Sequence, residues 1–298
     1  MHRRIEIRMS QPRSTVIRSV LAALVFSICA ILSVKSAQAD QAITLKDFDP
    51  ENFPGQPQID NKWLPLVPGT QFVLRGVANH RPHRQIATIT DLVKVIDNVV
   101  TTVIFEEDIS DGELVEAEIA FHAQDRDGVV WNLGEYPEQY KNGKLVGADA
   151  WLTGREDAKA GILMQPKPEV GTNSYSQGKA PKIDFADRAK VVDRGERTCV
   201  PAGCFDHVLI IREWNPLEQP QDGYQLKYHA PGTGVVRVEP VGGDEQEILV
   251  LVEIKHLSGR ELARIRDRAL ELDRRAYDIA SHVYRNTPPA HRWAPPPL

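Results

Sequence analysis

Asp97-Asn98, Asp111-Gly112 and Asn142-Gly143, with Asp125-Arg126-Asp127-Gly128 between them, punctuate a stretch otherwise dominated by Val, Ile, Thr and aromatic residues. Asn, Asp and Gly tolerate the positive φ that two-residue hairpin turns demand, so turns at this spacing impose consecutive antiparallel strands. The runs they separate are 70–77, 85–96, 99–109, 114–123 and 129–133. Their apolar residues do not recur at helical spacing. A loop rich in Gly and Pro over 154–171 precedes a second set of strand-like runs, 183–192, 205–214, 224–229, 235–238 and 248–256. The expected fold is mainly β: a single curved antiparallel meander, a half-open barrel with a two-sheet sandwich as the alternative, and one C-terminal α-helix.

That helix has a defined start. Ser258 with Glu261 three residues on is a capping-box pattern, and Leu262, Ile265, Ala269, Leu272, Ala276, Ile279 and Val283 follow at spacings of three and four. One narrow apolar face results. It suits a helix lying on its own sheet, and it also has the spacing of a coiled-coil seam. The mixed charges of Arg264, Asp267, Arg268, Glu271, Arg274 and Arg275 on the other faces suit solvent rather than a membrane surface.

The ends of the chain address location. Arg3, Arg4, Arg8, Arg13 and Arg18 precede an uncharged run over 20–34, and Ala37 and Ala39 stand where signal peptidase reads small residues. The run is shorter than the roughly 20 apolar residues of a spanning helix. Residues 1–39 therefore read as a signal peptide cleaved near Ala39, followed by an extended N-terminal arm (40–62), an antiparallel β domain (63–257), the helix packed on it (258–286) and a flexible Pro-rich tail (287–298). The product would be periplasmic or extracellular, with no integral membrane segment. Removing residues 1–39 takes six basic side chains and one acidic one, leaving 30 basic against 40 acidic. Such an excess of negative charge opposes binding to nucleic acid phosphates.

Few residues recommend themselves for chemistry. Cys199 and Cys204 flank Val200-Pro201-Ala202-Gly203; in an oxidising compartment a disulfide closing that hairpin is expected, the spacing being wrong for a C-x-x-C redox pair. His80 and His83 are only two potential metal ligands, and Asp125, Asp127 and Gly128 lack the later oxygens of a calcium loop, so neither a metal nor a cofactor is expected. Trp131, Glu135, Tyr136, Trp151 and Trp214 are the candidate ligand contacts, as aromatics grouped with carboxylates just beyond a strand end. Glu135 with Glu138 would serve a hydrolase of the two-carboxylate kind. There is no G-x-S-x-G elbow, H-E-x-x-H helix or phosphate-binding glycine loop, and no catalytic residue is assigned.

The stretches Ile59-Asp60-Asn61-Lys62-Trp63-Leu64-Pro65-Leu66, Ala123-Gln124-Asp125-Arg126-Asp127-Gly128 and Tyr228-His229-Ala230-Pro231-Gly232 resemble a family of uncharacterised secreted bacterial β-rich proteins. That resemblance implies an exported β domain and carries no activity or site residues with it. The sequence-level expectation is an exported protein that binds an apolar or amphipathic small molecule or an envelope component, rather than an enzyme. The alternatives are an interaction module of the cell envelope that meets another envelope protein through the helix and, behind it, the carboxylate hydrolase.

Overall fold

The chain divides into Met1–Gln41 and Ala42–Leu298. The computed structural model describes residues 47–218, 223–244 and 246–294, all within the second unit. The expected signal peptide and its cleavage point lie outside the described residues.

The first meander contains β1 (Thr70–Ala78), β2 (Arg81–Ile96), β3 (Val99–Ser110), β4 (Glu113–Gln124) and β5 (Val130–Lys141). Its two-residue turns behave as the side chains require. Asp97 and Asn98, Asp111 and Gly112, and Asn142 and Gly143 all adopt positive φ, the conformation whose twist matches the flanking strands. Asn79-His80 makes the same turn between β1 and β2. Then come β6 (Lys144–Gly147), β7 (Trp151–Leu152), β8 (Lys159–Met164), β9 (Tyr175–Ser176) and β10 (Gly178–Lys179). The second meander is β11 (Arg188–Val200), β12 (Gly203–Trp214), β13 (Tyr224–Ala230), β14 (Gly234–Val241) and β15 (Glu247–His256). A disulfide joins Cys199 to Cys204 across the β11–β12 hairpin, where the two residues are direct cross-strand partners.

The meanders meet where β1 pairs with β15, giving one antiparallel sheet in the order β10-β8-β5-β4-β3-β2-β1-β15-β14-β13-β12-β11-β9. It is curled and does not close into a barrel. Glu106 on β3 and Lys227 on β13 are five strands apart in that order, yet both line one cavity.

Two segments differ from the sequence reading. The stretch 131–140, expected beyond a strand end, is the body of β5, because Gly134 lets it run close to β7: a Cβ there would stand 2.4 Å from the Trp151 carbonyl oxygen. Part of the expected Gly/Pro loop is β8, whose apolar residues pair with β5.

After β15 the chain forms α1 (Gly259–Ile279) and the short α2 (Ser281–Tyr284). The capping box is complete, with the Ser258 hydroxyl accepting from the Glu261 amide and the Glu261 carboxylate accepting from the Ser258 amide. The helix lies on β2, β4 and β5, burying Ala269, Leu272 and Ala276; within the stripe Ile279 stays 42% exposed, while Val283, on α2, is buried. Among the described residues no helix is long and apolar enough to cross a membrane. The tail differs from expectation as well. β16 (His291–Arg292) pairs with β2, and the Trp293 amide donates to the Asp91 carbonyl. Three anchors on β2 outweigh the low apolar content that suggested a free tail: Asp91, Lys94 and the backbone edge.

Candidate functional site: an acidic groove

Alternation along β3 and β4 divides the sheet into two chemically distinct faces. Phe105, Glu107, Ala117 and Ile119 belong to the face under α1, where Arg268 pairs with Glu107 and lies over the Phe105 ring. The opposite face carries Ile104, Glu106 and Asp108 on β3 and Glu116, Glu118 and His122 on β4. Register sets Glu106 directly across from Glu118, and Asp108 across from Glu116. Like charges in that position repel, so this is an unfavourable arrangement for stability alone.

Three adjoining cavities run along this face. The first, of about 210 Å³, has an apolar wall of Leu64, Leu66, Phe72, Leu74, Ile89, Ile104 and Val238, and a polar side of Gln85, Glu106, His122, Gln225, Lys227 and Glu247. The second, of about 350 Å³, shares Gln225, Lys227 and Glu247 with it and adds Asp187, Glu213, Trp214 and Tyr224. The third, of about 270 Å³, is bordered by Glu116, Glu118, Glu135, Asp149, Trp151 and Phe185.

Hydrogen bonding settles some of these charges and leaves others exposed to each other. Lys227 Nζ stands 2.6 Å from Glu213, which also accepts from Gln177 at 2.8 Å. The pair holds Lys227 charged and, against the opposing effect of burial, keeps the Glu213 carboxyl below its ordinary range. Glu247 accepts from Gln225 at 2.7 Å and lies 3.6 Å from His83 Nε2. Among the described residues Glu106 has only a long contact, 3.5 Å, with Gln85. Burial, reinforced by Asp108, pushes the Glu106 carboxyl up to about 7. Burial likewise raises Glu116 and Asp187 to about 7 and Asp108 to about 6, while Glu118 stands well above 4.5 and Glu135 is also raised.

These shifts fix a direction for stability. A carboxyl whose pKa is raised on folding takes up a proton in the folded chain at a pH where the unfolded chain has released it, so stability declines as pH rises between the two values. His122 and His229, lowered by burial to about 3 and about 4, act oppositely below pH 6.5, but they are two groups against six. We expect unfolding in urea at pH 8 to show about 1–2 kcal/mol less stability than at pH 6.5, and Glu118→Gln to shrink that difference. A protein steadily more stable toward pH 8 would show that the groove carboxylates are well solvated.

The candidates from sequence fall in different places. Glu135 and Trp151 meet on the third cavity, the indole donating to the carboxylate at 3.3 Å and stacking on Phe185 with ring centroids 5.2 Å apart. Trp214 lines the second cavity, edge-on to Tyr224. Trp131 donates to Asp125 and packs edge-on against Phe48. Tyr136 is fully buried on the opposite face, where it donates to Glu138. Glu138 is itself fully buried and paired with Arg275 of α1. Glu135 and Glu138 thus face opposite sides of one strand and do not form the two-carboxylate pair that the hydrolase alternative needs. Sequence reasoning missed Glu106, Glu116, Glu118, His122, Glu213, Lys227 and Glu247. Glu106, Glu116 and Glu118 carried one signal, a carboxylate at alternate positions of two adjacent strands, Glu106 with Asp108 and Glu116 with Glu118.

No protein-family model matches the chain, and no curated protein matches it. Among solved structures, a candidate lipoprotein from Parabacteroides distasonis aligns with 67% of this chain and all of its own, at 16% identity and a TM-score of 0.33. A likeness at that score carries no inference about fold or function.

Proposed function

We propose that the protein is an exported binding protein that holds a small amphipathic molecule in the groove of its curled sheet. The observation that carries this reading is the two-part lining of the first cavity. Phe72, Leu74, Ile89 and Ile104 form a wall able to bury a hydrocarbon or ring system, and Gln85, Glu106, Gln225, Lys227 and Glu247 supply polar groups to the same cavity. Curled, unclosed sheets offer such concave surfaces without any catalytic machinery. The interaction-module alternative has less to work with, because the centre of the helix face it would use, Ala269, Leu272 and Ala276, is buried against the sheet of the same chain.

The test is displacement of a neutral apolar fluorophore, N-phenyl-1-naphthylamine, together with native mass spectrometry of protein purified from its own host. Saturable fluorophore binding is expected, weakened about tenfold by Phe72→Ser, which removes apolar surface from the wall. A protein that arrives with no bound molecule and shows no saturable uptake of the fluorophore is not an amphiphile carrier.

A further inference from the structure

The ligand's polar end has a definite sign. We propose that the first cavity recognises an ammonium group carried on an apolar skeleton, with Glu106 and Glu247 as the charge partners; the proposal rests on the amphiphile reading above and adds the chemistry of the head group.

Three observations converge on it. The cavity combines its apolar wall with two carboxylates, Glu106 and Glu247. The lysine that shares the cavity, Lys227, is already neutralised by Glu213 at 2.6 Å, so an anionic head group would have to displace Glu213 to gain a partner. Glu106 is held opposite Glu118 and two residues from Asp108 on the same face, a position in which an added positive charge would favour the ionised form of Glu106.

An ammonium fits better than a metal ion. Among the described residues no three His, Cys, Asp or Glu side chains stand close enough to share a metal. The carboxylates are strung along the groove, which suits a cation that needs hydrogen-bond acceptors rather than a fixed coordination shell.

The experiment compares octylammonium, octanol and octanoate as competitors of N-phenyl-1-naphthylamine at pH 7.5, on the parent and on Glu106→Gln, Glu247→Gln and the double variant. Octylammonium should compete at about tenfold lower concentration than octanol, with octanoate weakest. The preference, read as the ratio of octylammonium to octanol competition within each protein, should shrink in each single variant and vanish in the double one. Unchanged thermal melting of the variants, or an increase, separates this result from loss of fold. Equal competition by octylammonium and octanol, a preference for octanoate, or a preference that survives in the double variant would each overturn the inference while leaving the amphiphile reading intact. Failure of the parent to bind the fluorophore at all would remove both.

Discussion

Lys94→Ala should destabilise the protein by about 3–5 kcal/mol in urea unfolding, the range expected when one partner of a buried ion pair is removed. The Lys94 side chain is fully buried, and its ammonium uses all three donors: Asp273 Oδ1 at 2.9 Å, the Tyr277 hydroxyl at 3.0 Å and the Pro288 carbonyl at 2.9 Å. The rings of Tyr284 and Tyr277 lie 4.7 and 5.0 Å from it. Asp273 Oδ2 accepts from the Ala290 amide, so this one ion pair ties β2, α1 and the tail together. Truncating Lys94 strands the Asp273 carboxylate inside the core. Replacing both members, Lys94→Met with Asp273→Leu, should recover part of the loss, because no charge is then left unpaired. The residues around Ala290 should become sensitive to proteases in the single variant. A Lys94→Ala protein within 1 kcal/mol of the parent would mean that water reaches the pair.

The second large effect is expected at the helix. Leu272 is 4% exposed, in the middle of the α1 face against the sheet. Leu272→Asp removes an apolar side chain and sets a carboxylate where there is no solvent, at a cost of several kcal/mol. Circular dichroism should show a melting transition lowered by at least about 10 °C, or no folded baseline at all. Parent-like melting would show that α1 is dispensable to the domain. Ile279→Asp on the same stripe is the internal control: that side chain is 42% exposed, and the change should cost far less than Leu272→Asp.

Local rules written in the sequence decided most of the architecture. The turn dipeptides placed the first hairpins because positive φ is a property of single residues and needs no tertiary help. The capping box placed the start of α1 for the same reason, and the pairing of Cys199 with Cys204 followed from a hairpin short enough to bring them together. The period of three and four residues identified Leu272, Ala276 and Val283 as core, although it also counted Ile279, which is 42% exposed.

Tertiary structure decided what one residue's neighbours in sequence cannot reveal. Lys94 lies in a run of strand-forming residues and reads as an exposed lysine; only α1 and the tail, nearly 180 residues later, turn it into a buried anchor. The tail itself read as free because its composition is poor in apolar residues, and it is held by hydrogen bonds and charges that composition does not encode. The groove is the extreme case. Glu106, Glu118, Lys227 and Glu247 each look like ordinary polar residues of a strand, and the sequence reading passed over all four. The face that carries them became a cavity only because β1 paired with β15 and curled the two meanders toward each other. Alternation fixes which side of a sheet a residue occupies, while long-range strand pairing fixes whether that side meets water or another wall of the same protein.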